Sequence, residues 1–321
     1  MHWRRLKAEI LAHGGARPEG VPDRWRDRST AGPGARGPGS YFFATDAGRV
    51  RVAVNPDSPL SLKVADDGTA VITGPDMQVK GWLEKVALHC PRQAYITLSE
   101  GCIFGCRYCA VPSGPGRYKT ADDVETLVRT VLDRIDAISI TSGVLGSVAA
   151  DEARALVVVE RVMQFGIPVG VSIYPTRETP RRLHDLGVAE VKFNVETATA
   201  DLFAEMCPGL EYELIWEVLR ESVALFGRNR VFSNVILGLG ETDDEMAACI
   251  RRLTEMGVIP VIRPLTPAAG VAHLPRPGAD RILHIADIQE EALAQAGLDP
   301  SQARTMCSAC TGCDLVPGVD L

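Results

Sequence analysis

The chain has 321 residues, 46% hydrophobic and 23% charged, enough for one large α/β domain or two ordinary ones and incompatible with a wholly disordered polypeptide. Its 34 basic and 41 acidic residues leave a net charge of −7, which excludes a bulk electrostatic attraction to nucleic acid. The unusual number is nine cysteines.

Met1, His2, Trp3, Arg4 and Arg5 run on into charged residues without the apolar stretch of a signal peptide, and no window approaches a bilayer span. A cytoplasmic setting with reduced thiols is therefore expected. Residues 14–40, rich in Gly, Pro and Arg, read as an irregular arm suited to docking an acidic partner. Alternating runs at 49–54, 60–64 and 70–73, separated by turn residues, predict a small β meander. After Pro91 short apolar runs alternate with amphipathic stretches. Strands are predicted at 95–98, 137–141, 169–173, 191–195, 231–237 and 259–263, with helices starting near Ala121, Asp151, Thr179, Ala200, Asp243 and Asp280. Thr120 is a predicted N-cap, and Thr242 or Asp243 another. Repeated βα units of this kind build either a doubly wound sheet or an incomplete barrel, which periodicity does not separate.

Six of the cysteines fall in two short runs. Cys102, Cys106 and Cys109 follow the first βα-type strand on a glycine-containing loop, where three thiolates can converge on one centre. Structural zinc normally takes four protein ligands. An Fe–S cube held by three cysteines leaves one iron open. Near the end, Cys307, Cys310 and Cys313 are spaced as in ferredoxin-type motifs, a zinc knuckle being the rival reading. The fourth position there is open to Cys90, Cys207, a non-cysteine residue or substrate; Cys90 is favoured and His89 is its rival. Cys249 sits in a helical pattern and reads as core. His13, His184, His273 and His284 show no metal-pair spacing.

On the spacing of Cys102, Cys106 and Cys109 after the first strand, the sequence resembles the radical S-adenosylmethionine (SAM) superfamily. The resemblance implies a partial (βα)6 TIM-type barrel, here with a small N-terminal β-rich extension and a C-terminal cysteine tail. The expected division is 1–90 for arm and meander, 91–297 for the barrel and 298–321 for the tail. It also implies a [4Fe–4S] cluster on the three cysteines, whose open iron binds SAM and whose electron yields a 5′-deoxyadenosyl radical. Tyr108 stands where an aromatic residue packs near the adenine, and Ser142 with Gly143 where the SAM amino group is contacted, although the usual glutamate is absent.

Asn194 and Glu196 alternate with apolar residues on the fourth strand and so share a face. Gly238 and Gly240 at the end of the fifth let backbone approach a ligand closely. With Thr197, Glu241 and Thr242, these residues resemble patterns of the lipoyl synthase and biotin synthase branch; Cys207 through Tyr212 resembles a third, with Cys207 in place of an arginine. In that branch Asn194 and Glu196 would touch the ribose and amino acid of SAM. An auxiliary [4Fe–4S] cluster on Cys307, Cys310, Cys313 and Cys90 would supply sulfur to an octanoyl chain. The partners implied are an octanoylated carrier protein reaching the open side of the barrel, a second radical SAM protein, and an electron donor such as ferredoxin or flavodoxin. The other enzyme class is a radical SAM dehydrogenase or peptide-modifying enzyme whose auxiliary cluster transfers electrons and keeps its sulfide. Arg263, ending the sixth strand, is the catalytic candidate, holding a carboxylate of SAM or of a carrier acid, with a structural salt bridge as its other reading.

Overall fold

Trp3, Leu6, Lys7 and Ile10 recur at helical spacing, and the chain opens with helix α1 (Trp3–Ala12), which buries them against a β-sheet. This computed structural model describes residues 2–28, 34–35, 37–75, 77–114 and 116–320. Strands β1 (Arg17–Glu19), β2 (Ser40–Thr45), β3 (Gly48–Ala53), β4 (Ser61–Val64), β5 (Thr69–Gly74) and β6 (Met77–Glu84) form a sheet in the order β1-β4-β5-β6-β2-β3. The expected meander is thus larger, and the expected arm contains β1 and a 3-10 turn at Asp23–Trp25; its residues 29–33 and 36 lie outside the described residues. Tyr41, Phe43, Val50, Val52, Leu62 and Ile72 alternate toward α1 and make this unit's core.

The second sheet contains β7 (His89–Cys90), β8 (Gln93–Thr97), β9 (Ala137–Thr141), β10 (Val169–Ser172), β11 (Glu190–Lys192), β12 (Val231–Leu237) and β13 (Ile259–Pro264). From β8 to β13 the strands are parallel and lie side by side in strict chain order, with β7 antiparallel on the β8 edge. A doubly wound sheet reverses its strand order at a switch point. This one does not, so it curls as a partial barrel. Helices α2 (Ala121–Arg129), α3 (Val148–Met163), α4 (Thr179–Asp185), α5 (Ala200–Met206), α6 (Tyr212–Phe226), α7 (Asp243–Met256) and α8 (Ala279–Ala296) follow its strands, and α9 (Met306–Cys310) lies in the tail.

Local chemistry explains the boundaries. Thr120 and Thr242 each form a capping box with the residue three positions on. Ser147 caps α3 three residues earlier than expected. The single helix expected from Ala200 is broken into α5 and α6 by Pro208 and by Gly209 at φ +86°. Strand β11 is shorter than expected because side chains replace ladder bonds: Asn194 Oδ1 accepts from the Asn234 amide (3.1 Å) and Ser233 Oγ from that of Val195 (2.9 Å). Among the described residues no helix is long and apolar enough to cross a membrane.

The tail runs beneath the N-terminal ends of the barrel strands. Glu190 accepts from the amides of Arg304 (2.9 Å) and Thr305 (2.8 Å) and from Thr305 Oγ1 (2.7 Å). Ser139 Oγ accepts from the Met306 amide (2.9 Å), and Gln93 donates to the Met306 carbonyl (3.0 Å). On its other side, Arg51 N donates to the Gly312 carbonyl (2.7 Å), and Lys7 and Trp3 both bond Asp320 (2.7 and 2.9 Å). The barrel bottom is therefore plugged by the tail, and the tail is clamped by the N-terminal unit.

Candidate functional site

At the C-terminal end of the barrel, the segment after β8 is laced to its neighbours. Ile103 N donates to the Val144 carbonyl (2.7 Å), Arg107 N to that of Met206 (2.9 Å), and Val144 N to Cys102 Sγ (3.4 Å). Gly143 is required by close approach: a Cβ there would meet the Gly101 carbonyl oxygen at 2.9 Å and Cys102 Cβ at 3.1 Å. The segment brings Cys102, Cys106 and Cys109 to a cavity of about 720 Å3 inside the barrel. Ser142 and Gly143 line the same cavity, as does buried Tyr108, whose hydroxyl lies 3.5 Å from Cys207 Sγ.

The strand that begins as β11 forms one wall. Lys192, Asn194 and Glu196 all line the cavity, in steps of two residues. Asn194 Nδ2 donates to Glu196 Oε1 (3.1 Å), and Glu196 takes a left-handed φ of +59°. On β12, Asn234 lines the same wall, and its Oδ1 is buried with no hydrogen-bond partner among the described residues. An orphaned acceptor facing a cavity is what a polar ligand would satisfy.

The far end holds the second cysteine set. Cys307, Cys310 and Cys313 line the same cavity, together with Cys90 from β7. Cys90 and Cys310 act on each other, Cys90 rising and Cys310 falling. His89, the rival of Cys90, is engaged elsewhere, with Nε2 3.3 Å from Arg51 and Nδ1 3.4 Å from Asp27. Arg263 lies at this end too: its strongest charged neighbours are Cys313 and Cys307, and no hydrogen bond or ion pair fixes it among the described residues. Arg263, the expected partner of a carboxylate, lines the same cavity beside the tail thiols.

The two ends differ in charge. The hydrogen bond from Cys207 draws the Cys106 thiol down, whereas burial pushes Cys109 up to about 11. Burial also raises Glu196 above the usual carboxylate range, with Asn194 opposing it. At the tail, Cys90 lowers Cys310 to about 7, helped by Arg49 and Arg51. Burial pushes Cys307 up, but Lys192 and Arg263 outweigh it and hold the thiol below its ordinary value. Cys313 stays raised by burial. Glu196 thus acts on the first set, and Lys192 and Arg263 with the opposing carboxylate of Asp314 act on the second.

Gly238 lies in the turn after β12. It does not line the cavity, and its amide is taken by Glu241 Oε1 at 2.7 Å in the turn before α7. Cys207 is buried behind Cys106 and Tyr108, away from the tail set. Cys249 is core, as expected. All nine cysteines are free thiols, and among the described residues no group of three or more His, Cys, Asp or Glu side chains is placed to hold a metal ion. Missed at the sequence level were Lys192, Asn234 and Arg51. Lys192 and Asn194 share a face by period 2, the signal that would have found it.

The sequence profile of the Radical SAM superfamily matches residues 96–253, just under half of the chain. No curated protein matches. Among solved structures, the FeFe-hydrogenase maturase HydG from Carboxydothermus hydrogenoformans is similar at a TM-score of 0.54 and 15% identity, over 63% of this chain and 51% of that one. Streptococcus suis SuiB bound to S-adenosylmethionine is similar at 0.54 and 14%, over 64% and 48%. The chain spans about half the length of these structures. At such identity they speak for the fold alone, and they lend no support to the lipoyl synthase branch.

Proposed function

We propose, from the match of residues 96–253 to the radical SAM superfamily, an enzyme that oxidises a substrate held inside the barrel between two Fe–S clusters. Cys102, Cys106 and Cys109 would hold the [4Fe–4S] cluster; Cys90, Cys307, Cys310 and Cys313 would hold an auxiliary one. The observation that carries the reading is that all seven cysteines line one cavity. The donor chemistry fits: thiols in sets of three and four, with Cys106, Cys307 and Cys310 drawn toward thiolate. When bound, the first cluster supplies reductive cleavage of SAM and the auxiliary cluster an electron sink beside the substrate.

The chain's own residues position and enclose. Tyr108 offers an apolar wall with its hydroxyl turned to Cys207. Asn194, Glu196 and Asn234 offer polar contacts on one wall, and Ser142 with Gly143 offers backbone at the mouth. Phe42, Arg51 and Val54 of the N-terminal unit line the cavity with both edges of the curled sheet, so that unit helps to exclude water on the side assigned to a carrier protein.

This is the chemistry of dehydrogenation or peptide modification, and SuiB, also solved with its precursor peptide SuiA, is a structural neighbour of that kind. Sulfur insertion into an octanoyl chain is the second reading, favoured by the sequence around Asn194 and Glu196. Anoxic reconstitution with SAM and reductant tests both. Iron and sulfide near two cubes per chain, deoxyadenosine, a product lighter by two hydrogens and retained sulfide are expected. A sulfur gain on an octanoylated carrier, matched by lost sulfide, replaces oxidation by insertion. Absence of deoxyadenosine rejects both.

A further inference from the structure

We propose that Lys192 is a positioning residue that sets the reduction potential of the auxiliary cluster through the hydrogen bond its ammonium donates to Cys307. The inference rests on the reading that the tail carries a cluster. Lys192 is 3% exposed, and its Nζ lies 3.3 Å from Cys307 Sγ. The other lysine buried as deeply, Lys7, pairs with Asp320 at 2.7 Å. Lys192 has no carboxylate at ion-pair distance among the described residues. Burying an ammonium without an anion is strongly unfavourable. At bonding distance the partner of Lys192 is the Cys307 thiolate or the cluster it would ligate, while the carboxylates of Glu196 and Asp314 act on Lys192 from further away.

The arrangement is asymmetric. Cys307 receives a hydrogen bond from Lys192 and has Arg263 nearby, which together outweigh the carboxylate of Asp314, whereas the charged residue acting on Cys106 and Cys109 is Glu196. Hydrogen bonds to cluster sulfurs and nearby positive charge raise a reduction potential; nearby negative charge lowers it. One strand thus carries a carboxylate beside the SAM-cleaving set and, four residues earlier, an ammonium beside the auxiliary set. The hydrogen bond from Lys192 makes the auxiliary site easier to reduce than it would be without it, as an electron acceptor for a substrate radical requires.

The test is an EPR-monitored redox titration of reconstituted full-length protein, with C102A/C106A/C109A as the background that leaves the auxiliary signal alone. K192M should keep the iron and sulfide content of its parent and shift the auxiliary midpoint to more negative potential. K192R should recover part of that shift. A fully loaded K192M with an unchanged midpoint overturns the proposal. So does loss of auxiliary iron in K192M with retention in K192R, which would make Lys192 a structural counter-charge. If the triple-cysteine parent binds no iron, the two-cluster reading itself fails and this inference falls with it; that result is distinct because it appears before Lys192 is changed.

Discussion

Cys90 acts on Cys310 by donating a hydrogen bond that stabilises only the charged form of its partner, which is why Cys310 falls to about 7 while Cys90 rises well above the usual thiol range. The sign gives a test. In reduced, metal-free protein, the thiolate absorbance removed by C310A should titrate near pH 7, and in C90A it should titrate well above that. An unchanged midpoint in C90A would assign the effect to Arg49 and Arg51 instead. At this scale the sequence was informative where spacing is local: both cysteine runs, and the shared face of Asn194 and Glu196. It was uninformative about Glu241, whose carboxylate caps its own turn and pairs with Arg281 at 3.0 Å. It also said nothing of Lys192, since a lysine in a strand pattern reads equally as an edge residue until its surroundings are known.

Strands and helices were legible wherever periodicity and caps agree, as for β9, α2, β12 and α7. The exceptions are elements whose backbone is governed by distant groups. Strand β10 passes so close to the tail that a Cβ on Gly170 would meet Thr305 Oγ1 at 2.1 Å and Met306 Cγ at 3.1 Å. G170A should therefore destabilise the protein by about 1–3 kcal/mol through overpacking. It should also lower auxiliary iron while the iron of the first set stays, measured by denaturant unfolding and by metal analysis of G170A beside wild type. Retention of full auxiliary iron would show that the tail is not seated by this contact. Helix α1 escaped notice because its apolar stripe is short and interrupted by arginines that pair outward, with Arg4 on Asp287 and Glu290 and Arg5 on Asp280.

Across the whole molecule, the tail is the piece that joins the two sheets. It plugs the barrel bottom through Glu190, Ser139 and Gln93, and it is gripped from outside by α1 through Asp320. Lys7 and Asp320 are both fully buried, so removing one partner strands the other. D320A should cost about 3–5 kcal/mol. It should also raise hydrogen exchange together in α1 and in residues 306–320, with strands β9 and β12 unaffected; exchange confined to the last residues would mean that α1 does not depend on the clamp.

By itself the sequence determined the chemistry and most of the elements: thiols in two spaced sets, a loop after the first parallel strand, and polar side chains on an inward face. These follow from spacing along the chain, which short-range geometry converts directly into shared faces and turns. Only the tertiary structure decided that the strands curl in chain order, that the tail lies under the barrel, and that both cysteine sets face one cavity. Those features depend on bonds between residues up to about three hundred positions apart, such as Trp3 with Asp320, and no local pattern encodes them.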